Sequence, residues 1–123
     1  MIQGAVDSQL QAIIRLHIAD VNGQTQAMEF KVDTGFTDFI SLPPSLVKSL
    51  GLPLESYEYI QIGDGRVVRV PVHKGVVIWE GKPRYVDFHA LGTSKLIGMA
   101  LLAGHSLAIH VTDGGNVTIA LGP

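Results

Sequence analysis

The chain has 123 residues, of which 46% are hydrophobic and only 16% charged; this is the make-up of a single packed domain over 1–123 and excludes a disordered segment. Nine Lys and Arg against eleven Asp and Glu give a formal net charge of −2 with no basic run, which argues against nucleic acid or an anionic membrane as the main partner. There is no cysteine, so disulfides, zinc–thiolate sites and a thiol nucleophile are all excluded.

The first residues, Met1 to Asp7, lack the positive and apolar regions of a secretory signal, so an unprocessed, cytoplasmic chain is expected. Ile14, Leu16 and Ile18 then alternate with Ile13, Arg15 and His17, a strand pattern closed by the turn signal Asn22-Gly23. The return strand carries Met28, Phe30 and Val32 on one face and delivers the tripeptide Asp33-Thr34-Gly35 at its end. Phe36 to Leu42 reads as a further apolar strand. Pro43 to Leu50 reads as a short helix, with prolines at its start and Gly51 at its stop.

Tyr57 to Ile62 and Arg66 to Val72 flank Gly63-Asp64-Gly65, a hairpin tip. Val76 to Glu80 and Pro83 to Ala90 flank Gly81-Lys82 as a second hairpin. Leu96-Ile97-Gly98 precedes a short helical stretch, Met99 to Ala103. Leu107 to Val111 and Asn116 to Leu121 form a last hairpin around Asp113-Gly114-Gly115. Short strands joined by glycine turns predict an all-β fold with one or two short helices, closed into a small β-barrel or sandwich. The longest nearly apolar stretch, Leu96 to Gly104, is too short to span a bilayer as a helix. A mean hydropathy of +0.30 in so small a chain then favours burial between subunits.

The chemistry concentrates at Asp33. Two carboxyl groups held close together share a proton, because both cannot ionise cheaply, so one acts as base and the other as acid at the same pH. A water between them can be deprotonated to attack an amide carbonyl while the neutral member protonates the developing oxyanion. Asp-Thr-Gly occurs once in this sequence, so the second carboxylate must come from a second copy of the chain. Thr34 would fix the turn through its hydroxyl. Gly35 would allow an extended substrate to approach the backbone. A strand-end turn with no catalytic role is the plain alternative.

Phe30-Lys31-Val32-Asp33-Thr34-Gly35 resembles the active-site strand of aspartic proteases of the pepsin and retroviral group, and so does the later Leu96-Ile97-Gly98 followed by a short helix. The glycine-tipped hairpin lies between the two, and Pro43 to Leu50 with Gly51-Leu52 looks like the segment after the active site in bacterial single-domain members. The resemblance runs from about Ile13 to Leu121. It implies a homodimeric aspartic endopeptidase without a cofactor, in which Asp33, Thr34 and Gly35 form each half of the dyad. Phe36, Thr37 and Asp38 would line the substrate site, Gly63, Asp64 and Gly65 would form a flap tip over an extended peptide, and Ile97 and Gly98 would support the active-site loop from beneath. The sequence departs from the retroviral pattern at Phe36, where a small residue is usual, at Thr37, where an acid is usual, and at Met99, where Arg is usual.

The five histidines, His17, His73, His89, His105 and His110, form no His-x-His or His-x-x-x-His set, so solvated or hydrogen-bonded histidines are expected and no metal site. A non-catalytic dimeric module gripping extended peptides is the rival reading, with Phe36 as its support because its ring would crowd out the attacking water. A purely structural assembly domain is the third.

Overall fold

The computed structural model describes residues 1–122. These form β1 (Ile2–Val6), β2 (Ala12–Ala19), β3 (Thr25–Val32), β4 (Ile40–Leu42), α1 (Pro44–Leu50), β5 (Leu54–Gln61), β6 (Val67–Trp79), β7 (Lys82–Ala90), β8 (Leu96–Ile97), β9 (His105–Ile109) and β10 (Asn116–Leu121). The fold is mainly β, with one short helix among the described residues. All strands belong to one hydrogen-bonded sheet in the order β5-β6-β7-β4-β8-β3-β2-β1-β10-β9, and β2 also pairs with β6. That extra pairing sets His17–Ala19 against Val76–Ile78 and returns the circuit β2-β3-β8-β4-β7-β6 on itself.

The alternation predicted for β2 and β3 sets the core. Ile14, Leu16 and Ile18 are buried, while Arg15 and His17 face out. Phe30 lies opposite Ile14, and Met28 opposite Leu16, so one face of the hairpin is continuous apolar surface. Ile40, Leu42, Phe88, Ile97, Leu101 and Ile119 complete the core with almost no exposure. Each such side chain contributes roughly 1.5–3 kcal/mol by burial. The turn at the hairpin tip is held by Asp20, whose Oδ1 accepts the amides of Asn22 (2.8 Å) and Gln24 (3.0 Å). Helix α1 starts at its proline and ends at Gly51, as its sequence predicts.

Several element boundaries differ from the sequence reading: β1 has no counterpart in it, β5 starts at Leu54 rather than Tyr57, and β9 covers His105–Ile109 rather than Leu107–Val111. β6 is one strand of 13 residues rather than two, because the His73-Lys74-Gly75 stretch keeps its ladder while β6 changes partner from β5 to β7. The β6–β7 turn is centred on Glu80-Gly81, both with positive φ (51° and 80°), rather than on Gly81-Lys82. Phe36 to Phe39 is loop, not strand, because its carbonyls bond to the 98–100 segment instead of to a ladder partner. Met99 to Ala103 is a run of turns rather than a helix, with amides bonding three residues back: Leu101 to Gly98, Leu102 to Met99 and Ala103 to Ala100.

Among the described residues no helix is long and apolar enough to cross a membrane.

Candidate active site

Asp33 follows the last residue of β3 and begins a tight turn. Its amide donates to the Ile97 carbonyl (3.0 Å), its carbonyl accepts the Phe36 amide (3.1 Å), and its Oδ1 accepts the Gly35 amide (2.9 Å). Asp7, Asp20 and Asp64 make the same kind of side-chain turn bond, so this contact alone does not single Asp33 out. What surrounds it does. β8 is inserted between β3, which it pairs in parallel, and β4, which it pairs antiparallel. The loop from Asp33 to Phe39 therefore straddles Ile97 and Gly98.

That loop is bonded to its support residue by residue. Gly98 donates to the Phe39 carbonyl (2.9 Å), Met99 to Phe36 (2.8 Å) and Ala100 to Asp38 (3.2 Å). Ile97 is fully buried below. A Cβ on Gly98 would lie 2.2 Å from the Asp38 carbonyl oxygen and 2.6 Å from both the Phe36 ring and the Phe36 carbonyl oxygen, so only glycine fits between loop and strand.

Asp33 and Thr34 open onto a groove of about 470 Å³, lined also by Leu10, Lys31, Val32, Leu96, Ile109 and Val111. Its apolar rim is largely uncovered: Leu10 is 58% and Val111 62% exposed. Leu10 also holds a left-handed backbone (φ 60°), which a leucine adopts at a cost. No pattern in the sequence marked Leu10.

Phe36 does not line this groove. Its ring lies against Gly98 and meets the His89 imidazole edge-on, with centroids 5.8 Å apart at 88°. Thr37 is exposed, whereas Asp38 is half-buried and lies 3.5 Å from His89 Nε2.

Gly63, Asp64 and Gly65 form the tip of the β5–β6 hairpin. The Gly65 amide closes the turn on the Ile62 carbonyl (2.9 Å), and Gly65 takes φ 88°. Asp64 accepts the Arg66 amide through Oδ1 (3.0 Å) and the Arg66 Nε through Oδ2 (2.6 Å). These two bonds, the amide first, hold the Asp64 carboxyl below its ordinary value. A depressed carboxyl stabilises the fold above its unfolded value and loses that contribution as pH falls through its folded value. Acidification through that value, or Asp64→Asn at neutral pH, is therefore expected to lower the protection factors of the Gly65 and Arg66 amides, each taken against the intrinsic exchange rate at the same pH, while leaving those of the β2–β3 core unchanged. Equal exchange in both proteins across this range would show that the ion pair does not order the tip.

No family model matches the sequence, and no curated protein sequence matches it. The fold itself is that of a retropepsin-like aspartic protease. One solved structure with this fold is a retropepsin-like aspartic protease from Rickettsia conorii, which aligns over 97% of this chain and 91% of its own with a TM-score of 0.61 at 21% identity.

Proposed function

We propose that the chain is a single retropepsin-like domain over 1–123, one half of a homodimeric aspartic endopeptidase. The strand circuit through β2, β3, β8, β4, β7 and β6 is read as its small closed barrel. The observation that carries the proposal is the seat of Asp33: a carboxylate on a loop clamped to β8 and facing a groove, in a chain that shares the fold of the Rickettsia protease along nearly its whole length.

In this reading Asp33 from each of two copies meets across a two-fold axis. The pair shares one proton, activates a water for attack on the scissile carbonyl and returns a proton to the leaving amine. Thr34 and Gly35 shape the dyad, and Thr37 and Asp38 border the peptide. Gly63, Asp64 and Gly65 close over it, and Ile97 and Gly98 hold the loop. No cofactor takes part. The substrate is a peptide in extended conformation, held by main-chain hydrogen bonds.

The exposed apolar surface supports a second copy as partner. β9 is a sheet edge with one side unpaired, and Ile109, Val111 and Leu121 are exposed along it and beyond. Of the two terminal strands, β10 is paired on both sides, to β1 and β9, so β9 is the one with a free edge. Val111→Lys is expected to shift the protein toward monomer in sedimentation velocity and to lower peptide cleavage with it. A variant that stays dimeric and fully active would place the interface elsewhere.

Cleavage of a peptide library by the wild type and by Asp33→Asn tests the catalytic assignment. A non-catalytic peptide-binding module predicts binding without cleavage in both proteins.

A further inference from the structure

His89 is the one buried side chain whose chemistry the fold does not use. It lies at the buried end of β7 with 0% exposure, between Phe88 and Ala90 in sequence and opposite the buried Ser41 of β4. Its Nε2 is 2.8 Å from Glu58 Oε2, on β5, and 3.5 Å from Asp38 Oδ2, on the loop after the Asp-Thr-Gly turn. Its Nδ1 is buried with no hydrogen-bond partner. Three donor atoms from three separate elements thus converge, all within 4.8 Å of one another.

The charges at this point do not balance. Among the described residues His89 is the only ion-pair partner of either carboxylate, and its Nε2 has at most one proton to share between them. Glu58 takes the short bond, which leaves Asp38 at 3.5 Å. Two like charges then face each other beside a buried ring. A cation would neutralise both.

We infer that Asp38, Glu58 and His89 form a site for a divalent transition-metal ion, ligated through Oδ2, Oε2 and Nε2. Bonds of about 2.0–2.2 Å to nitrogen and oxygen set neighbouring donor atoms roughly 3.0–3.5 Å apart, close to the observed 2.8 and 3.5 Å. One imidazole with two carboxylates suits zinc or manganese, whereas calcium and magnesium prefer all-oxygen sets. The carboxylates are 37% and 42% exposed, so water can fill the remaining positions and the ion has a way in. Ligation through Nε2 puts the ring proton on Nδ1, which has no acceptor in this structure, so the buried N–H is a cost that metal binding has to offset. Bound there, the ion would tie the β5–β6 hairpin to the loop that follows Asp33.

The test uses tag-free protein freed of metal with chelator, then titrated calorimetrically with Zn²⁺ alone and with Mn²⁺ alone. One Zn²⁺ per chain is expected, with a rise in melting temperature at saturating metal. Glu58→Gln and Asp38→Asn are each expected to weaken Zn²⁺ binding more than ~10-fold. His89→Gln should abolish it. Because His89 is buried, circular dichroism and metal-free melting establish that its variant folds, and the half-exposed Glu58 keeps the test decisive if it does not. Two results overturn the inference: no stoichiometric Zn²⁺ binding by the wild type up to 1 mM (about −4 kcal/mol), or binding that Glu58→Gln and Asp38→Asn leave unchanged, which would put the ion on other histidines. None of these readouts involves peptide cleavage, so the metal site and the protease proposal stand or fall separately.

Discussion

Asp33→Asn is expected to remove peptide cleavage while leaving the fold in place. In the proposed dimer both copies of the variant lack the carboxylate, so neither a base for the water nor an acid for the oxyanion would remain. The expected fall in kcat/KM is on the order of 10³-fold or more, equivalent to about 4 kcal/mol of transition-state stabilisation. The turn should survive, because the asparagine oxygen still accepts the Gly35 amide bonded by Asp33 Oδ1 at 2.9 Å. Melting temperature therefore separates a chemical effect from a structural one. Asp33→Ala, which also deletes the turn bond, should lose an additional ~1 kcal/mol of stability. The measurement is initial-rate cleavage of a peptide library at several pH values, alongside thermal melts. Wild-type activity is expected to peak in mild acid and to decline once both members of the pair are charged. Cleavage by Asp33→Asn at the wild-type rate, or a rate that is flat from acid to alkali, would remove Asp33 from the chemistry.

Gly98→Ala is expected to have the largest effect on stability. Its Cβ would lie 2.2 Å from the Asp38 carbonyl oxygen and 2.6 Å from that of Phe36, and neither is the far end of a flexible side chain. Both oxygens also accept hydrogen bonds, from Ala100 and Met99, so moving them aside breaks the contacts that seat the loop. The combined overpacking and lost bonding should cost about 3–4 kcal/mol. For a domain of this size that lowers the melting temperature by more than ~10 °C and consumes much of its stability. The same variant should lose activity before it unfolds, because the loop carrying Asp33 shifts with its support. A melt within ~2 °C of wild type would mean that the loop does not rest on Gly98 as closely as described.

Much of this protein was legible locally. The β2–β3 hairpin, the helix from its prolines to Gly51, and the tip at Gly63-Asp64-Gly65 each follow from side-chain alternation or turn chemistry within a few residues. Asp33 at the end of β3 was legible for the same reason. The errors fall where a segment's bonding partners are distant in sequence. Phe36 to Phe39 has the composition of a strand, yet its carbonyls are taken by amides some sixty residues later. Met99 to Ala103 has the composition of a helix turn, but two of its amides are committed to that same loop. Phe36 packs on Gly98 and His89, a contact that likewise joins segments far apart in sequence.

The Asp38–Glu58–His89 cluster had no signal at all in the sequence, because its spacings of 20 and 31 residues match no local ligand pattern. The sequence by itself determined the turn types, the strand faces, and the place of a lone Asp-Thr-Gly at the end of β3. Those properties depend on backbone sterics and side-chain periodicity over short range. Only the tertiary structure decided that β8 slots between β3 and β4, that β2 reaches β6, and that a buried histidine meets two carboxylates. Each of these depends on which strands pair across long loops, and pairing is selected by packing of the whole core rather than by any segment alone.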